Sequence, residues 1–99
     1  WLIGVDVDWN VSAPEYNAIT LTSVLKHLEV SVQTASRAVA TGSFTGAVHL
    51  GNLKNGQVGI APITNVDQAT IDSLTAEVEG VADMIVSGEI EVHNFSELP

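Results

Sequence analysis

Three charged residues stand where two apolar runs end. Asp6 and Asp8 close the run Leu2-Ile3-Gly4-Val5, and Lys26 closes the run Thr20 to Leu25, in a chain with only three basic residues. A carboxylate accepts two hydrogen bonds in its plane and an ammonium donates three, so an Asp-Lys pair can grip a vicinal diol from both sides in a partly dehydrated cleft. Sugar hydroxyls are the natural target of that chemistry. The competing account is structural: Lys26 reaches along its apolar stem to solvent, and one aspartate caps a backbone turn.

The elements that must position these residues are legible from periodicity. Residues 1 to 7 are a short apolar run rich in Ile and Val, which predicts a buried strand, and DWNVSAPEYN after it carries the Asn, Ser and Pro of a loop. AITLTSVL predicts a second strand that delivers Lys26 at its end. Both candidate groups then lie at the C-terminal ends of strands, the edge at which open α/β sheets bind ligands. Leu28, Val32, Ala35, Val39 and Ala40 share one helical face, which predicts a helix to about Thr41 with Gly42 at its C-terminal cap. AVHLGN and QVGIAPI flank Asn55-Gly56 and predict an antiparallel hairpin. Asp67 is the expected N-cap of a last helix with the stripe Ile71, Leu74, Val78, Val81, Ala82 and Ile85, which Gly88 ends before the alternating EIEVH, a predicted terminal strand. The order is β, β, α, β-hairpin, α, β, an α/β chain.

Composition narrows the functions. The 99 residues carry a formal charge of −9, with 45% hydrophobic and 15% charged residues, a balance that predicts a globular chain and disfavours nucleic acid as a partner. Cysteine is absent, which removes disulfides, thiolate metal sites and a cysteine nucleophile from these residues. His27, His49 and His93 are far apart in sequence and lack zinc-ligand spacing, so no metal and no cofactor is expected. The acidic residues Asp72, Glu77, Glu79 and Asp83 read as a solvated helix face. The triplets Asn10-Val11-Ser12 and Asn94-Phe95-Ser96 match the glycan acceptor pattern, which arises often by chance.

Four motifs taken together are more specific than any one. IGVDVD, LTSVLK running into an amphipathic helix, NLKNGQVGIAP, and a long helix ending in IVSGEIEV occur in that order over almost the whole chain. In this the sequence resembles the C-terminal third of the basic membrane protein family, solute-binding lipoproteins of ABC transporters that are similar in fold to type I periplasmic binding proteins. The best-understood members bind purine nucleosides. The resemblance implies that Asp6, in GVD, and Lys26, in TSVxK, hydrogen-bond the ribose hydroxyls. Trp9 stands where relatives usually carry Gln, and the loop APEYNAI differs in length and character, so Asp8 is read as a structural acid and Trp9 as a loop or packing aromatic, with direct stacking on a base as the alternative.

The implied fold has two lobes with the ligand closed between them, and the chain, which opens on Trp1 within a strand, is expected to supply the C-terminal portion with pieces of both lobes and the hinge. The implied protein is not an enzyme. It hands its nucleoside to permease subunits from an extracytoplasmic position, periplasmic or on the cell surface, and meets the membrane only through a lipid anchor expected upstream.

Two other classes share parts of the pattern. Asp6 and Asp8 resemble the DxD of haloacid-dehalogenase phosphatases, where they would act as nucleophile and general acid/base with Lys26 steadying the phosphate. The chain lacks the small hydroxyl residue expected soon after the pair and the later magnesium-binding acidic cluster. Sugar kinases of the actin-like fold open with IGVDVG, but here Asp8 occupies the glycine position and would repel a phosphate. A ligand-sensing domain of the same binding fold is the third class, separated from a transport lipoprotein only by features upstream of Trp1.

Overall fold

The structure, a computed structural model, describes residues 1–93, so the triplet Asn94-Phe95-Ser96 lies outside the described residues. The chain divides into two compact units, the first spanning Trp1–Val66 and the second beginning at Asp67.

The first unit is a three-stranded mixed sheet with its connections. Strand β1 (Leu2–Asp6) lies parallel to β2 (Thr20–Lys26), and β3 (Val58–Ile60) lies antiparallel on the other side of β2. Adjacent parallel strands require a crossover of about a dozen residues or more. Residues 7–19 supply it as the one-turn helix α1 (Trp9–Ser12) and a 3-10 turn (Pro14–Tyr16), both within a segment the sequence marks only as loop.

The crossover meets β2 through the hydroxyls of Thr20 and Ser23, and the hydroxyl of Thr22 is taken up by the segment after β3. Thr20, Thr22 and Ser23 are buried, and each has a partner. Thr20 Oγ1 donates to the Tyr16 carbonyl at 3.0 Å, Thr22 Oγ1 donates to the Ala61 carbonyl at 2.7 Å, and Ser23 Oγ accepts from the Trp9 amide at 3.1 Å. A buried hydroxyl left unpaired costs about 1–3 kcal/mol, so these bonds are what permit a Thr/Ser-rich central strand. Thr64 adds a cross-link, donating to the Thr20 carbonyl at 2.9 Å and accepting from Asn10 Nδ2 at 3.2 Å.

β1 departs from the expected buried strand. Of its residues only Gly4 is buried, while Ile3 and Val5 are 60% and 53% exposed. The register Ile3↔Thr22, Val5↔Val24 and Val24↔Ile60 puts these apolar side chains on one sheet face, the face opposite the crossover.

Helix α2 (Leu28–Ala40) follows β2 directly and has the predicted bounds. Its end is a Schellman cap: the Ser43 amide donates to the Ala38 carbonyl at 2.9 Å and the Gly42 amide to the Val39 carbonyl at 3.1 Å, with Gly42 at φ +70°. None of its residues is buried, and Leu28, Val32 and Val39 of the predicted stripe are exposed.

The predicted hairpin does not form. AVHLGN has no strand, and β3 pairs with β2 instead. A two-residue type I′ turn needs positive φ at both central residues, and here only Gly56 has it. The side chains of Asn52 and Asn55 instead bond each other's backbone amides at 2.9 and 3.0 Å, which closes a local turn that sends the chain to the free edge of β2.

The second unit is α3 (Gln68–Ser87) and the residues after it. Asp67 caps it as expected: Oδ1 accepts from the Thr70 amide at 3.0 Å and Oδ2 from the Thr70 hydroxyl at 2.7 Å. Gly88 ends it in the left-handed conformation, φ +85°. Asp72, Glu77, Glu79 and Asp83 are exposed. The predicted strand EIEVH is absent. Alternation alone does not make a strand, because its backbone groups need a hydrogen-bonded neighbour and the described residues of this unit offer no second strand.

The Thr70 hydroxyl, then the Thr70 amide, hold the Asp67 carboxyl below the usual carboxylate range. A depressed folded-state value means the cap stabilises α3 fully above the unfolded-state carboxylate range, and the contribution is lost as pH falls through the folded value. Asp67→Asn keeps an N-cap oxygen without the titration. A circular-dichroism pH titration should show the wild type losing helix signal relative to Asp67→Asn in the acid range alone; superimposable curves would remove the pH-dependent part of the cap.

Among the described residues no helix is long and apolar enough to cross a membrane.

Candidate ligand-binding site

The parallel pairing of β1 and β2 carries their C-terminal ends to the same edge of the sheet. Asp6 pairs with Leu25 in the register, one position from Lys26, and side chains alternate faces along a strand, so a regular Asp6 would point away from Lys26. It is not regular. Asp6 takes the left-handed conformation with φ +75°, and Lys26 Nζ lies 2.6 Å from Asp6 Oδ1. Aspartate tolerates this region better than most side chains, and residues held there concentrate at functional sites.

The pair is open to solvent. The Lys26 and Asp6 side chains are 58% and 56% exposed, so their attraction is screened by water and adds little to stability. Both residues stand at strand ends in the sequence, and the fold brings them together. Chemically, an ammonium and a carboxylate at contact distance present donors on one side and acceptors on the other, which suits a group that is both donor and acceptor at adjacent oxygens.

Asp8 is spent elsewhere. Its Oδ1 accepts from the Asn10 amide at 2.9 Å as the N-cap of α1, which matches its reading as a structural acid. A carboxylate held in a cap is badly placed to shuttle protons for a nucleophilic Asp6.

Trp9 is a packing residue in this structure. Its Nε1 donates to the Val5 carbonyl at 3.2 Å, its ring lies over Gly4, and it meets Tyr16 with centroids 6.1 Å apart at a 40° tilt. It thereby braces β1 one residue before Asp6.

His27 was not singled out by its sequence context, yet it fixes the strand end that carries Lys26. Its amide donates to the Gln57 carbonyl at 3.0 Å, its Nδ1 lies 3.1 Å from Glu29 Oε1, and its ring lies beside Gly59 of β3, where a side chain would meet Nε2 at 3.0 Å. The only signal in the sequence is adjacency to Lys26 and a glycine in the partner strand.

An open groove of about 470 Å³ lies apart from this pair, between α2 and residues 43–57, with Ser31, Phe44, His49 and Gln57 in its wall. It has no Asp, Glu, Lys or Arg in its lining, so no clamp of opposite charges can be built there. Among the described residues no group of three or more His, Cys, Asp or Glu side chains converges on a metal position.

No protein-family model matches the chain, and no curated protein does.

Proposed function

We propose that the protein is the solute-binding component of an ABC importer and that it captures a purine nucleoside through the ribose diol, with Asp6 and Lys26 as the two sides of the clamp. One observation carries the reading: an aspartate in a left-handed conformation and a lysine meet at 2.6 Å on the C-terminal ends of adjacent parallel strands, half exposed. Such a pair can trade its mutual contact for two charge-assisted bonds to neighbouring hydroxyls, with Asp6 accepting and Lys26 donating.

The larger frame of the proposal is a type I periplasmic-binding-protein-like fold of two lobes, anchored through lipid outside the cytoplasm, which releases its nucleoside unaltered to the permease subunits. The motif order and the mixed α/β architecture support that frame, and the strand-end position of the pair agrees with ligand binding at the sheet edge.

Calorimetric titration with adenosine, guanosine, inosine, ribose and 2′-deoxyadenosine tests it. Ribonucleosides should bind, the 2′-deoxy compound should bind more weakly because half the diol is gone, and Lys26→Ala should lose about 1.5–3 kcal/mol, the range for hydrogen bonds to charged groups. Ribonucleoside affinity unchanged by Lys26→Ala, or no difference between adenosine and its 2′-deoxy form, would overturn the clamp.

A further inference from the structure

The Asn55-Gly56 turn leads into β3 and takes no part in the clamp. The chain has six asparagines, and Asn55 alone is followed by glycine. A glycine amide has no side chain to shield it, so it is the least hindered nucleophile toward the carboxamide before it. The reaction is self-contained. The Gly56 nitrogen attacks Cγ of Asn55, the new N–Cγ bond forms as the Cγ–Nδ2 bond breaks, and the Gly56 proton leaves with Nδ2 as ammonia. Water then opens the cyclic imide at either carbonyl, leaving aspartate or isoaspartate.

The folded turn opposes each requirement of that attack. The Gly56 amide donates to the Leu53 carbonyl at 3.2 Å, so the nucleophile is engaged. The Asn55 carboxamide is held at both ends: Oδ1 accepts from the Asn52 amide at 2.9 Å and from the Gln57 amide at 3.3 Å, and Nδ2 donates to the Leu50 carbonyl at 2.8 Å. Asn52 returns the contact, its Oδ1 accepting the Asn55 amide at 3.0 Å. Cγ cannot turn toward the Gly56 nitrogen until this set opens.

We infer that Asn55 is a spontaneous deamidation site latched by the reciprocal Asn52–Asn55 turn, converting only when the turn opens locally. The product destroys its own latch. A carboxylate in place of the carboxamide has no donor for the Leu50 carbonyl and sets oxygen against oxygen there, and isoaspartate also lengthens the backbone between Asn55 and Gly56. The change is therefore one-way, and it removes the turn that leads into β3.

Peptide mapping by mass spectrometry at pH 8 and 37 °C reads the conversion of Asn55 directly, as a one-dalton gain with separable isoaspartate. The folded wild type should convert Asn55 more slowly than the same chain in urea. Asn52→Ala should raise the folded rate by about fivefold, the factor one lost hydrogen bond of typical net strength supplies. Asn52→Asp, which keeps the accepting oxygen, should stay near the wild-type rate, and this guards against a general loss of folding as the cause. Gly56→Ala should suppress conversion in urea by hindering the nucleophile. Equal rates in the folded and urea-unfolded wild type, or an Asn52→Ala rate equal to wild type, would overturn the latch.

Discussion

Asp6→Gly and Asp6→Val should lose ribonucleoside binding to the same extent while differing from each other in stability by about 1–2 kcal/mol, the cost of holding an L-side chain in left-handed backbone. Both replacements remove the carboxylate, so whatever Asp6 contributes to a diol is absent from each. They differ at the backbone. At φ +75° glycine is unstrained, whereas a β-branched side chain there is an outlier. Loss of the exposed contact with Lys26 is common to both and adds little. Urea-unfolding midpoints beside calorimetric titrations separate the two roles. Equal midpoints would mean that the left-handed turn at Asp6 is not retained, and binding that survives in Asp6→Gly would remove the carboxylate from the site.

Gly4→Ala should destabilise the first unit by about 1–3 kcal/mol, as overpacking of a filled site does. A Cβ at Gly4 would stand 2.5 Å from Ser23 Oγ and 2.6 Å from Trp9 Cδ1 and Cγ, well inside contact distance. Ser23 has nowhere to go, being fully buried and bonded to the Trp9 amide, so the indole must lift. Lifting it breaks the bond from Nε1 to the Val5 carbonyl and uncovers the strand that ends at Asp6. At roughly 4–8 °C per kcal/mol for a domain of this size, the melting temperature should fall by about 10 °C. Trp9 fluorescence should shift toward that of a solvated indole, against the constant background of Trp1, which is already 75% exposed. An unchanged melt and emission would show that α1 does not pack on β1.

Asp67 shows which parts of this chain can be read locally. It is a short acid placed just before a helix and accepts an amide three residues on, because the N-cap bond involves only neighbours in sequence. Gly42 and Gly88 are legible for the same reason: a left-handed residue after a helix is a local steric need. α1 was missed because one turn of helix has no apolar stripe to detect. The hairpin was misread because Asn-Gly specifies a turn only when both residues take positive φ, and the side-chain bonds between Asn52 and Asn55 chose another geometry. The burial of β1 was overestimated because Ile and Val report strand propensity, while which face is covered depends on what packs there.

The candidate site divides along the same line. The residue types and their place at strand ends were present in the sequence: Asp6 after an apolar run, Lys26 after another. That the two meet was decided by the parallel register of β1 on β2 and by the left-handed turn at Asp6, both of which involve groups distant in the chain. The same holds for the buried Thr20, Thr22 and Ser23, which are polar in sequence and interior in the fold because the Tyr16 and Ala61 carbonyls and the Trp9 amide arrive to pair with them. Helix caps such as Asp67, Gly42 and Gly88 depend on neighbours a few residues away, so the sequence by itself determined them, whereas the alternation of EIEVH made no strand. Register, face and ion pairing depend on which backbone groups find partners across the sheet, and only the tertiary structure decided those.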